Sequence, residues 1–257
     1  MTDATGRVRV VGAGRAGGSF AGALSDAGWS VELVHHDHPD PGAGVDLVLS
    51  CVPDGAVAAL AAGWPVHPEA VVAHCAGSLG LDVLAPHPRV ASVHPLVSLP
   101  DPTTGRDRLR GAWFAVAGDE IARRVVAALG GRAVEVPDAS RVRYHAAAVI
   151  ASNHLVALMG QVERLAADLG VPLEAFLALA AGSLDNVAAV GPAAALTGPV
   201  ARGDWQTVAR HLASLPPEER GAYLAMAEQA ALLAGVELPP GGIASGGPGS
   251  GVGDDDP

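Results

Sequence analysis

The sequence predicts an α/β chain: an N-terminal doubly wound parallel sheet followed by an all-α C-terminal domain. Three observations predict it. Short apolar runs alternate with helix-patterned runs as far as Val136, the order of a parallel sheet built from right-handed crossovers. Strand signals stop after Pro137, and the later apolar segments are long and rich in alanine. The length, 257 residues, suits two cores better than one.

The elements follow in order. Residues 7–12 (RVRVVG) read as a strand that runs into Gly12-Ala13-Gly14-Arg15-Ala16-Gly17, and a helix pattern follows to Ala27, with Gly28 suited to its C-cap. Val31–Val34 is a second strand. Val45–Val52 is a third, apolar throughout, as expected of a strand covered on both faces. Asp54 is placed to cap a helix running to Ala62. Ala70–His74 reads as a strand, Leu79–Ala85 as a short helix, and Val90–Val93 and Trp113–Ala117 as two more strands. Glu120–Leu129 reads as a helix and Ala133–Val136 as the last strand. Residues 139–169 form one long helical run ended by Gly170-Val171-Pro172, and 173–190, 204–214 and 218–234 are three more helices. The expected domains are 1–137 and 138–238, with a disordered Gly, Pro, Ser and Asp tail over 239–257.

Composition excludes several classes. The net charge is −11, and the 16 basic residues, all arginine, form no cluster, so neither nucleic acid nor an anionic membrane is an expected partner. Without a lysine, no Schiff-base or lysine acid–base chemistry is available. Cys51 and Cys75 lie in or beside apolar strand runs and read as reduced, packed thiols. The polar N-terminus does not resemble a leader, and no apolar stretch reaches the roughly 20 residues of a membrane span, so a cytoplasmic protein is expected. Ten histidines form no HxxxH pair, the cysteines form no CxxC pair, and no metal site is expected.

The glycine loop carries the strongest functional signal. A GxGxxG motif that ends a strand and opens a helix is the fingerprint of a Rossmann dinucleotide site. Gly12 permits the tight turn, Gly14 the approach of a pyrophosphate, and Gly17 close helix–strand packing. The helix start then offers unpaired N–H groups, with Arg15 and Ala16 in its first turn. An NAD site usually carries an acid at the end of the second strand, and here that position holds His35 and His36. With Arg15 nearby, this favours NADP(H) over NAD(H).

Ligands of such sheets bind outside the carboxyl ends of the strands. Pro53 and Asp54 follow the third strand, where ribose and nicotinamide would pass, and His74 and Ser78 follow the next. His94-Pro95 follows Val93, a polar ring held between a strand and a fixed exit. On the long helix, Arg143-Tyr144-His145 precedes Ser152-Asn153-His154. In a regular helix, Ser152 lies within about 20° of His145 around the axis. Polar residues inside an apolar helix need partners, and a cleft would provide them.

The stretches VVGAGRAGGSF, VVAHCAGSLGLDVL, SVHPL, GAWFAV, RYHAAAVIASNHLVAL and ALTGPVARGDWQTV together resemble Rossmann-like NADP oxidoreductase-like proteins with an uncharacterised helical C-terminal domain. That group is similar to the 6-phosphogluconate, prephenate, pyrroline-carboxylate and ketopantoate dehydrogenases and reductases. The resemblance covers the chain to about residue 237 and implies two domains, a small-molecule substrate and a homodimer through the helical domain. His94-Pro95 is similar to the His-Pro of prephenate dehydrogenases. Asn153-His154-Leu155-Val156-Ala157-Leu158 resembles a ketopantoate reductase segment whose catalytic Lys falls on His145 and whose intervening Asn falls on Val149.

The expected chemistry is hydride transfer between NADP(H) and a small keto or hydroxy acid, with ketopantoate as one candidate. His145 would be the general acid, Ser152 and Asn153 would orient the oxygen, and His94 would polarise the substrate. Arg143 and Arg202 are candidates for a carboxylate, because arginine binds it through a bidentate fork. Two alternatives keep the nucleotide: a regulatory protein that binds NADP(H) without catalysis, and a reductase exchanging hydride with a deazaflavin.

Overall fold

The structure is a computed structural model and describes residues 5–243. The chain forms two compact units, one up to His154 and one from Leu155 onward. The sequence places the junction at Pro137. The difference arises because the first helix after Pro137 packs on the sheet and counts with it.

The first unit contains β1 (Arg7–Val11), α1 (Arg15–Asp26), β2 (Ser30–Val34), β3 (Leu47–Ser50), α2 (Asp54–Gly63), β4 (Val71–His74), β5 (Val90–Pro95), α3 (Pro102–Leu109), β6 (Trp113–Gly118), α4 (Ile121–Ala128), β7 (Arg132–Glu135) and α5 (Arg141–Val149). A π turn, Ile150–His154, continues α5. The seven strands lie in the order β2-β1-β3-β4-β5-β6-β7. Alternating residues of β3 explain its unbroken apolar run: Leu47 and Leu49 pack with Phe20, Leu24, Leu109 and Val125 on one face. Val48 packs with Val57, Trp64 and Leu84 on the other. The sheet is thus covered by α1, α3 and α4 on one side, and by α2 and a 3₁₀ turn (Leu81–Leu84) on the other.

The sheet is mostly parallel, and one pairing corrects the all-parallel expectation. β6 runs antiparallel to β5, and β7 parallel to β6. The connection between β5 and β6 holds α3, which the sequence reading missed. The missed signal was local. The Asp101 carboxylate accepts the Thr103 and Thr104 N–H groups at 2.9 Å each, and Pro102 occupies the first turn.

The second unit contains α6 (Leu155–Ala166), α7 (Leu173–Val190), α8 (Pro192–Ala195), α9 (Trp205–Ser214) and α10 (Pro217–Ala234). Val200, Val208, Leu212, Ala227, Ala231 and Ile243 form its core. Ile243 lies within the segment expected to be a disordered tail; the rest of that segment, from residue 244, lies outside the described residues. Arg164 grips both Glu219 carboxylate oxygens, and Gln161 donates to the Glu219 carbonyl at 2.9 Å, so α6 is held to the start of α10. By length and composition α7 is apolar enough to cross a membrane, with a mean hydropathy of 1.4 over its 18 residues, none of them buried within the chain.

Candidate active site

The glycine loop has the backbone that its three glycines require. Gly12 has φ +105°, and a Cβ there would lie 2.9 Å from the Cys51 carbonyl oxygen. A Cβ on Gly17 would overlap the Gly12 carbonyl oxygen, so strand and helix meet only because both side chains are missing. Gly14 differs. It caps α1, and a Cβ on it would meet no atom within 4 Å. The first turn of α1 has no acidic residue and no capping side chain. Its N–H groups and its partial positive charge therefore face open space, the arrangement that takes a phosphate.

That loop opens into a cavity of about 440 Å³ at the carboxyl ends of β1, β3, β4 and β5, lined among others by Gly14, Arg15, Cys51, Pro53, Cys75 and His94. Ala16 lines it too. Behind the cavity the strand register places three polar residues in one row, Ser50, His74 and Ser92. All three are buried. His74 Nε2 meets the Gly80 carbonyl at 3.1 Å and must donate to it, so Nδ1 is left as an acceptor with no partner among the described residues. Burial pushes the His74 pKa down, against the pull of the Gly80 bond.

Helix α5 closes over this row with one face. Arg141, Tyr144 and His145 are spaced i, i+3, i+4 and so point the same way. Arg141 is fully buried and donates through Nη2 to Ser92 Oγ. Its Nε and Nη1 have no partner among the described residues. The Tyr144 hydroxyl meets His94 Nδ1 at 2.7 Å, with the rings edge to face. The His145 ring stands 6.0 Å from the His94 ring at 79°. Gly77 admits both rings, because a Cβ there would lie 2.5 Å from His145 Cδ2 and 2.7 Å from His94 Nε2. Burial, then the neighbouring His145 and Arg141 charges, lower the His94 pKa to about 4. His94 is therefore a neutral imidazole at pH 7.

The structure brings together His94, His145 and the glycine loop with Arg15 and Pro53. Asp54 opens α2, is exposed, and accepts from Ser78 Oγ at 3.1 Å. His35 and His36 are exposed in the turn after β2 and do not line the cavity. Arg143 is exposed on α5, and Arg202 is exposed in a 3₁₀ turn of the second unit. Ser152, Asn153 and His154 occupy the π turn, all exposed. A π turn bonds i to i+5 and winds more residues per turn, so the angle expected between His145 and Ser152 does not hold. Sequence reasoning missed Arg141, Tyr144, Ser92, Ser50 and Gly77. The spacing of Arg141, Tyr144 and His145 was a usable signal; the serine row appears only once strand register is known.

Fold and glycine loop make the first unit a Rossmann-type α/β domain. A family model, the domain of unknown function DUF2520, matches residues 114–230, from β6 into α10. Among solved structures, a Bacteroides fragilis protein provisionally described as an NADP oxidoreductase superposes with TM-score 0.72 at 19% identity, over 89% of this chain and 99% of that one. The Thermotoga maritima protein TM1727 gives 0.68 at 25%, over 89% and 98%. A Plasmodium falciparum pyrroline carboxylate reductase solved with NADP bound gives 0.57 at 12%, over 89% and 98%. A search of the curated proteins found no match.

The His94 environment makes stability depend on pH. Its folded pKa of about 4 lies below the ordinary value of about 6.5, so between those values the unfolded chain binds a proton that the folded chain does not. That contribution is fully present above pH 6.5 and is lost as pH falls towards 4, by about 3 kcal/mol in all. Urea unfolding of wild type and His94→Asn at pH 7 and pH 4.5 is expected to show a clearly shallower pH slope for the variant. Equal slopes would place the His94 ring in water.

Proposed function

We propose that this chain is an NADP(H)-dependent oxidoreductase acting on a small oxo or hydroxy acid. One observation carries the reading: the uncapped start of α1 and His94 line one cavity, and Tyr144 and His145 stand against the His94 ring, so a phosphate site and an acid–base site lie within the reach of one dinucleotide. When bound, the dinucleotide supplies or accepts the hydride. Gly14 and the first-turn N–H groups hold its pyrophosphate, with Arg15 at the rim. No carboxylate stands directly after β2 to repel a 2′-phosphate, which supports NADP(H) over NAD(H). The pyrroline carboxylate reductase that shares the fold was solved with NADP, in keeping with this choice.

Two adjacent imidazoles do not both carry charge readily. Burial keeps His94 neutral. With Tyr144 donating to Nδ1, neutral His94 carries its hydrogen on Nε2 and polarises the substrate oxygen. His145 delivers the proton to that oxygen as the carbon is reduced. Ketopantoate is the first 2-oxo acid to test. A second reading, NADP(H) sensing without catalysis, is favoured by the absence of lysine from the chain.

We further propose a homodimer formed through the helical unit. Leu177, Leu179, Leu184, Val187 and Val190 of α7 are exposed, an apolar surface that a second copy would cover. Glu174 and Asp185 within the same helix favour a protein partner over lipid.

Three measurements test these readings. Gly14→Ala is expected to leave the melting temperature unchanged, since its Cβ meets open space, and to weaken NADPH binding at least about tenfold. Undiminished affinity would move the phosphates elsewhere. His145→Ala is expected to lower kcat about 10²–10⁴-fold on the best 2-oxo acid with NADPH affinity retained. Tight NADPH binding with no turnover of any oxo acid by wild type would favour the sensing reading. Light scattering is expected to give twice the 25.6 kDa chain mass, falling to one chain in the Leu179→Asp, Leu184→Asp double variant; a monomeric wild type removes the dimer.

A further inference from the structure

We infer that Cys51 and Cys75 form a peroxide-oxidisable dithiol on the wall of the nucleotide cavity, and that closing it to a disulfide weakens dinucleotide binding. The second half rests on the functional reading above, and the first does not.

The geometry is that of a preformed pair. Cys51 follows β3 and Cys75 follows β4, one residue beyond the register partners Ser50 and His74. The Cys75 N–H donates to the Ser50 carbonyl at 3.2 Å, so the ladder reaches the two cysteines. Neighbouring strands lie about 4.8 Å apart, inside the roughly 4.4–6.8 Å between Cα atoms that a disulfide spans. Both side chains pack on the α1 face of the sheet, Cys75 against the cluster that holds Cys51. Both also line the cavity beside Gly14 and His94. They are the chain's two cysteines and both are free, so oxidation has a single bond to form within one chain.

Their roles divide by exposure. The neighbouring Cys75 thiol and burial push the Cys51 thiol well above its ordinary pKa, so it is the poorer first nucleophile. Cys75 is half-buried and opens to the cavity. The Cys75 sulfur attacks a peroxide oxygen, breaking the O–O bond, and becomes a sulfenic acid with release of water or an alcohol. The Cys51 sulfur then displaces water from Cys75 to form the S–S bond. In total two thiols and one peroxide give one disulfide and two molecules of water, or one of water and one of alcohol.

The cavity registers the change because Cys51 supports the glycine loop. Gly12 packs on the Cys51 carbonyl, and a Cβ on Gly17 would lie 3.4 Å from the Cys51 Cβ. Closing the bond draws the sulfurs from non-bonded contact to about 2.05 Å, directly under the turn that receives the phosphates.

The test treats the full chain with hydrogen peroxide, digests it without reduction, and titrates NADPH against reduced, oxidised and dithiothreitol-restored protein. The expected result is a linked Cys51–Cys75 peptide, an NADPH dissociation constant raised about tenfold, and recovery on reduction. Cys75→Ser is expected to show the same NADPH constant before and after peroxide. Absence of the linked peptide, or an unchanged constant after complete linkage, overturns the inference. Reduced protein that ignores NADPH overturns the functional reading and the coupling with it, while the linked peptide still reports on the dithiol.

Discussion

The first unit depends on a contact between backbones with no side chains in it. Gly17 lies against the carbonyl of Gly12, and Gly12 lies against the carbonyl of Cys51. β1, α1 and the end of β3 are thereby drawn closer than any Cβ would allow. The same closeness aims the start of α1 at the cavity, where its unpaired N–H groups face open space at Gly14. A bulkier residue at either packing position would push the helix off the strand and remove the phosphate seat with it.

A second constraint acts from α5. One helical face makes two attachments to β5, Arg141 to Ser92 and Tyr144 to His94, two strand residues apart. The first is costly, because a buried guanidinium with two unpartnered nitrogens gives up several kcal/mol of hydration. That cost is understandable if the arginine fixes where Tyr144 and His145 stand. Its charge also helps to keep His94 neutral, after burial and His145. Polar groups that weaken the packing of the unit therefore set the protonation of the ring that faces the cavity.

Most of the fold was legible in the sequence, and the exceptions have physical causes. The strands, the glycine loop and the helices after Pro137 announce themselves through local periodicity and punctuation. α3 was missed although Asp101-Pro102 is a good helix start, because its face toward α1 is polar and small rather than apolar: Gly105 packs on Ser19, and Gly22 on Arg106. The antiparallel β6 was missed because strand direction is set by pairing between distant strands and leaves no mark in local periodicity. The π turn at Ile150–His154 was missed because an inserted residue leaves the helical composition unchanged while it rotates everything after it.

The sequence alone determined the α/β order, the turn that can receive a diphosphate, and the shortlist of histidines, since these depend on neighbours a few residues apart. Tertiary structure alone decided which histidines meet, that His94 and not His74 faces the cavity, and that Arg141 is buried beneath them. It also placed Cys51 beside Cys75. Each of these depends on register between strands or on one helix laid across a sheet, relations that couple residues about 20 to 50 positions apart and leave no periodic trace in the chain.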